Sequence, residues 1–233
     1  MQILEKGQLG LLASMGTDKT IAQAAWVSFG KQDSEKTDEE IKKLINYLVK
    51  HRHGTPFEHV VFQFYIKSPL FVAREWMRHR IGSFNEISGR YVTFEPEFYI
   101  PTEFRVKGST NKQGSIFPDE EWATNNDWRN LEDFNNSMNV DLTNAYSKVY
   151  DRYLELIESG VANEQARMVL PVGLYTQYWW TVNLRALLNF VSLRSAENAQ
   201  WEIREYSKAI ESILQEHVPM AYEAFLDNGR IAP

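Results

Sequence analysis

The chain has 233 residues, of which 43% are hydrophobic and 13% aromatic, and it carries a formal charge of −6. That length supports a sizeable core, and the acidic balance argues against nonspecific nucleic-acid binding as the main activity. No apolar run approaches the roughly 20 residues of a membrane helix, the start MQILEKGQLG lacks a signal-peptide pattern, and the absence of cysteine removes disulfides, zinc–thiolate and iron–sulfur sites and thiolate nucleophiles.

The chain therefore reads as cytoplasmic, with no membrane or nucleic-acid partner. Residues 3–15 read as a strand, and Thr17 or Asp18 caps a short helix through Ala25. TDEEIKKLINYLVKH (37–51) is the clearest helix. Thr37 and Glu40 have capping-box spacing, and Ile41, Leu44, Ile45, Leu48 and Val49 recur on one face. HRHGTPFE (51–58) is a loop, and 59–67 is a strand with Val60, Phe62, Phe64 and Ile66 on one side.

Pro69 opens a helix expected to run to about Arg80. A polar loop with Gly82 and Gly89 then leads into a strand near YVTF (91–94). Residues 102–130 are polar and irregular and read as a surface insertion. Helices follow over 131–159, 163–171, 183–195 and 198–217, with strand-like YTQYWWTV between the second and third. The fold class is α+β: mixed helices around a central, mostly antiparallel sheet in a single domain over 1–233. Neither GxGxxG nor GxxxxGK occurs, so both standard glycine-rich phosphate loops are missing.

RHRIGSFNEISGRY (78–91) gathers Arg78, Arg80 and Arg90 with only Glu86 available to pair locally. Guanidinium groups make paired, charge-assisted hydrogen bonds to phosphate and carboxylate oxygens. Arg167, Arg185 and Arg194 lie further on, and Arg185 and Asn189, four apart, share a helix face. Any single arginine is explained by surface salt bridging, but the cluster fits a polyanionic small-molecule site better. His51, His53, Glu58 and His59 lack metal-ligand spacing, and no metal is expected. His53 fits a hydrogen-bonding or proton-handling group near a cofactor, whereas a structural role competes equally for His51 and His59. Ser83 and Ser88 fit ligand hydrogen bonds better than nucleophilic attack.

The same stretch matches every fixed position of RHRxxSxNExSxRY, so the chain resembles the flavin-dependent thymidylate synthases. HGTPFEH, IKSPLFVAREWMRHR, EFYIP, ARMVLP and TVNLRALLNFVSLRSAENAQWEI are similar to that family too. Only the 102–145 region stands apart. The resemblance implies a homotetramer with FAD and dUMP bound where subunits meet. NADPH would reduce the FAD, and methylenetetrahydrofolate would supply the carbon that converts dUMP to dTMP, releasing tetrahydrofolate.

Carried over by motif, Thr55, Arg78, His79, Arg80, Glu86, Asn183, Leu184, Arg185 and Asn189 would contact FAD, with His53 near the flavin ring. Glu75, Arg78, Glu86, Ser88, Gly89, Arg90 and Arg167 would bind dUMP. Arg194 would meet the uracil, where a guanidinium favours ionised N3 and a more nucleophilic C5. Arg194 and His53 are the residues assigned to catalysis. Glu75 stands where many members have glutamine, so it turns away from the phosphate, pairs with an arginine, or touches the sugar. Asn198 stands where several members carry histidine, so the resemblance assigns it no role.

Three other readings use the same residues. An anion-binding regulator would bind phosphorylated ligands without flavin. A flavoprotein oxidase or reductase would lack the folate reaction. A metal-dependent hydrolase would act through His51, His53 and Glu58.

Overall fold

Apolar alternation and helical periodicity resolve into sixteen elements in a computed structural model, which describes residues 1–30, 36–108 and 114–233. In chain order they are β1 (Gln2–Ile3), β2 (Gly7–Met15), α1 (Asp18–Val27), α2 (Asp38–Lys50), β3 (Val61–Pro69), α3 (Leu70–Trp76), β4 (Ser83–Glu86), β5 (Val106–Lys107) and β6 (Ser115–Ile116). Then come α4 (Glu120–Asn125), α5 (Leu131–Glu158), α6 (Asn163–Ala166), β7 (Tyr175–Asn183), α7 (Leu184–Arg194), α8 (Trp201–His217) and α9 (Pro219–Asp227). The α+β class holds: helices accompany a five-stranded sheet ordered β1-β2-β3-β7-β4, in which β1–β2 and β2–β3 are antiparallel. No helix among the described residues is long and apolar enough to cross a membrane.

The chain groups into two compact units, interleaved in sequence. One comprises 1–67, 75–85 and 177–233, the other 68–74 and 86–176. In the first unit the apolar face of α2 is buried at Ile41, Ile45, Leu48 and Val49, while Phe62, Phe64 and Ile66 of β3 are fully buried. Thr37 caps α2 with the expected box, its Oγ1 accepting from the Glu40 N–H and its own N–H donating to the Glu40 carboxylate. Trp76, Trp180, Phe190 and Tyr206 form an aromatic cluster, with Trp76 4.7 Å from Phe190 and 5.4 Å from Trp180 between ring centres. Tyr178 and Trp180 are buried and Trp179 is half exposed, the alternation that strand geometry requires.

Helix α3 ends at Trp76, short of the expected Arg80. Arg78, His79 and Arg80 all line one cavity. Successive helical residues turn by about 100° and cannot share one direction, so the backbone leaves the helix before them. The expected strand at 91–94 is not formed; β4 lies earlier, at Ser83–Glu86. In the second unit the polar groups of Phe94 are satisfied by α5 side chains instead. Its N–H donates to the Tyr153 hydroxyl at 3.2 Å, and its carbonyl accepts from the Tyr150 hydroxyl at 2.9 Å.

The 102–130 stretch carries structure of its own. Its β5–β6 ribbon, α4, Trp122, Trp128 and Phe104 are present, and the three rings pack on Phe134 of α5 at 5.1–6.3 Å. Residues 109–113 of that stretch lie outside the described residues.

Helix α9 was not expected from the sequence. Val218 and Pro219 end α8 and restart a helix with proline at its first position. Its first turn is held by the buried Asp18 carboxylate, which accepts from Met220 N–H at 3.0 Å and Ala221 N–H at 2.9 Å. Burial is the largest influence on this carboxyl and raises its pKa above the usual Asp value, against the opposing effect of the two N–H donors. Because the native carboxyl holds its proton more tightly than the unfolded chain does, this contribution is full at low pH and lost as pH rises through the raised value. Asp18→Ala should destabilise the protein by about 1–3 kcal/mol through two stranded N–H groups, measured by urea denaturation. Asp18→Asn should abolish the fall in stability that wild type shows from the ordinary Asp range upward.

Candidate functional site

Within the first unit, a cavity of about 960 Å³ is lined by the 78–81 turn, by the face of α7 carrying Asn183, Arg185, Ala186, Asn189, Leu193 and Arg194, and by Glu58, Ala232 and Pro233. Six residues assigned to FAD from the motif meet there: Arg78, His79, Arg80, Asn183, Arg185 and Asn189. Arg194 joins them. Of the cavity's four guanidinium groups, Arg185 pairs with Glu58 and Arg194 with Glu75, so the cationic excess lies at Arg78 and Arg80. Arg78 and Arg80 have no hydrogen-bond or ion-pair partner among the described residues.

Asn183 caps α7, its Oδ1 accepting from Ala186 N–H at 2.9 Å. Arg185 donates from Nη1 to Glu58 at 2.7 Å and from Nε to the Pro233 carbonyl at 2.9 Å. Gly54 is the floor under Arg185, since a Cβ there would lie 2.3 Å from Nε. The partnership of Glu58 with Arg185, and the Ala232–Pro233 segment, were invisible in the sequence because both depend on contacts far apart in the chain.

Arg194, the last residue of α7, is held on three edges. Nε donates to His79 Nε2 at 3.0 Å, Nη1 to the Glu75 carboxylate at 2.5 Å, and Nη2 to the Glu75 main-chain carbonyl at 2.9 Å. Of the three options left open for Glu75, the structure shows pairing with an arginine. His79 accepts through Nε2 and is therefore the neutral tautomer protonated on Nδ1. Burial first, and the Arg194 charge second, bring its pKa down to about 4.

The remaining assigned residues of this unit are placed elsewhere. Leu184 is fully buried and its N–H donates to the Val60 carbonyl at 2.8 Å. Thr55 opens the short 3-10 turn Thr55–His59. His53 is exposed, its ring 5.8 Å from Tyr47 and 6.4 Å from His51. None of these three lines the cavity.

The second unit gathers the other set. Ser88 anchors a tight turn, its Oγ accepting from Arg90 N–H at 3.3 Å and its carbonyl from Tyr91 N–H at 3.0 Å. A Cβ on Gly89 would lie 2.3 Å from Phe94 and 3.1 Å from Arg167 Cδ, so the turn packs against the Arg167 stem. Arg90 pairs with the Glu164 carboxylate at 3.2 Å, while Arg167 Nε reaches the Glu164 carbonyl at 3.4 Å. Glu164 thus lies between two arginines; its position three residues before Arg167 in NEQARMVLP was the available signal. Glu86 accepts from the buried Thr176 hydroxyl at 2.6 Å.

The α+β fold thus carries two cation-rich sets, whose guanidiniums suit anionic groups. A family model described as "Thymidylate synthase complementing protein" matches residues 10–220. A flavin-dependent thymidylate synthase of Thermosipho africanus is 48% identical over 225 residues, covering 97% of this chain and 93% of that protein. One of Thermus thermophilus is 45% identical over 226 residues, covering 96% and 77%. Among solved structures, a UMP/dUMP methylase, PolB of Streptomyces cacaoi, bound with 5-Br dUMP, matches with a TM-score of 0.87 at 31% identity, covering 100% of both chains. The chain belongs to the flavin-dependent thymidylate synthase family.

The state of His79 is directly measurable. By NMR its ring should titrate at about 4; in Arg194→Met, losing the cation should raise that value while burial keeps it below the ordinary 6.5.

Proposed function

We propose that this chain methylates dUMP to dTMP, with methylenetetrahydrofolate as one-carbon donor, FAD as cofactor, NADPH as reductant, and tetrahydrofolate as released product. The observation that carries the reading is the cavity of the first unit, where the unpartnered Arg78 and Arg80 lie with Arg185, His79 and two asparagines. That donor set fits a group bearing a pyrophosphate and a polar ring system. Arg78, Arg80 and Arg185 would hold the phosphates, and Asn183, Asn189 and the Nδ1–H of His79 would supply uncharged hydrogen bonds. When bound, the flavin supplies the hydride that completes the methyl group.

Ser88, Gly89, Arg90 and Arg167 suit the phosphate of dUMP: two guanidiniums flank a turn whose glycine lets the backbone come close. Glu86, fixed by Thr176, would accept from the nucleotide. The base would meet Arg194, supplied by the same or another copy of the chain. That guanidinium stabilises negative charge as N3 ionises, which makes C5 more nucleophilic. No thiolate can add to C6, because the chain has no cysteine. His53, exposed and outside the cavity lining, would be the second catalytic group, near the flavin ring.

Ile81 and Leu193 at the cavity wall, 70% and 54% exposed, are apolar surface of the kind that a second copy covers. The chain would act as a homotetramer, with such surface covered by another copy.

Incubation with dUMP, methylenetetrahydrofolate, NADPH and FAD should yield dTMP and tetrahydrofolate; unchanged dUMP would refute the reading. Arg167→Ala should raise the KM for dUMP roughly 10- to 100-fold, the worth of one charge-assisted hydrogen bond, with little effect on flavin content. Gly54→Ala leaves an ordinary backbone conformation (φ −76°) but displaces Arg185. It should weaken FAD binding by roughly the same factor, measured by flavin fluorescence, while thermal stability stays near wild type.

A further inference from the structure

The three-way hold on Arg194 has a chemical asymmetry. Two of its acceptors, the His79 ring and the Glu75 carbonyl, are neutral, whereas the third, the Glu75 carboxylate, is an anion. The Glu75 side chain is 40% exposed and that of Arg194 only 17%. The guanidinium is thus mostly enclosed, and its charge is matched by the neighbour that orients it. Five N–H groups are available on a guanidinium. Three are committed here, so one on each terminal nitrogen remains for a ligand. A glutamine in place of Glu75 would accept the same bond through its amide oxygen but leave Arg194 a net cation.

We propose that Glu75 is a positioning residue for Arg194 that also tempers its charge, so that this chain presents a fixed but largely neutralised donor pair to the pyrimidine base. The inference rests on the reading of Arg194 as the group that meets the uracil of dUMP. Orientation comes from hydrogen bonds that a neutral acceptor would supply equally. The negative charge has a separate effect: it opposes ionisation of N3, because an anion on the base would lie near the Glu75 carboxylate as well as the guanidinium. Glu75 thus trades anion stabilisation for a rigid, pre-arranged Arg194. The other charged groups of the cavity, Glu58, Arg78, Arg80 and Arg185, are common to all the variants below, so comparison isolates Glu75.

The test uses full-length protein loaded with FAD, and 5-bromo-dUMP as the probe. Halogenation brings the N3 proton closer to neutrality, and its loss shifts the ultraviolet absorption of the base. The ionisation of bound probe is titrated in wild type, Glu75→Gln and Glu75→Ala, alongside its Kd. Glu75→Gln should keep tight binding and make bound N3 more acidic by about one pH unit, a tenfold change in ionisation constant. Glu75→Ala should bind roughly tenfold more weakly than Glu75→Gln, because the orienting acceptor is gone. Equal N3 acidity in wild type and Glu75→Gln would overturn the proposal, as would binding by Glu75→Gln as weak as by Glu75→Ala. Binding of the probe by none of the three proteins would instead refute the dUMP reading itself, and this inference with it.

Discussion

A guanidinium that must face a ligand in one orientation has to be held by its other edges, and in this protein Arg194 is held on three. That requirement organises much of the first unit. It fixes where α3 stops, because Glu75 must offer both its carboxylate and its carbonyl from the last turn. It fixes the end of α7, whose final residue is Arg194. It also decides the state of His79, which stays neutral and acceptor-competent under burial and the adjacent cation. The aromatic cluster of Trp76, Trp180 and Phe190 packs directly behind, and the His79 ring lies 4.8 Å from Phe190. Apolar packing thereby transmits its rigidity to a polar constellation that would otherwise lose considerable side-chain entropy on ordering.

The two units hold their arginines differently. In the first, Arg185 is braced by Glu58 and the Pro233 carbonyl over Gly54, while Arg78 and Arg80 lack protein partners among the described residues. Braced and unbraced arginines suit different tasks, since a fixed fork sets geometry and a mobile one follows a flexible phosphate chain. In the second, Arg90 and Arg167 flank Glu164 beside the Ser88–Gly89 turn. The Glu164 carboxylate pairs with Arg90 alone, while its main-chain carbonyl accepts from Arg167, so one residue tethers both guanidiniums. The RHRIGSFNEISGRY stretch passes from one unit to the other between Asn85 and Glu86, so a short segment contributes to both.

Local signals were legible where burial follows a simple period. The α2 stripe with its capping box and the alternation of β3 were read from 3.6- and 2-residue repeats, and the structure follows them. The end of α3 was not legible, because three consecutive cavity residues override helix propensity. Nor was the backbone around Phe94, whose groups are satisfied by tyrosines more than fifty residues away. Helix α9 was missed for the same reason: its first turn depends on Asp18, at the other end of the sequence. At the site, residue types and spacing singled out Arg78, Arg80, Arg185, Asn189 and Arg194, and the family resemblance added His79 and Asn183; the fold brings all seven to one cavity. Glu75 was singled out as well, with pairing to an arginine among its options, but which arginine it meets, like the pairing of Glu58 with Arg185, emerged only from three-dimensional contact.

The central claim is that the arginine-lined cavity of the first unit is a flavin site serving a dUMP-methylating reaction. The most direct measurement is the visible absorption spectrum of the purified protein, taken anaerobically before and after addition of NADPH with dUMP. The account predicts a flavin band that bleaches on that addition. A protein that stays colourless after incubation with FAD and removal of the excess would contradict it.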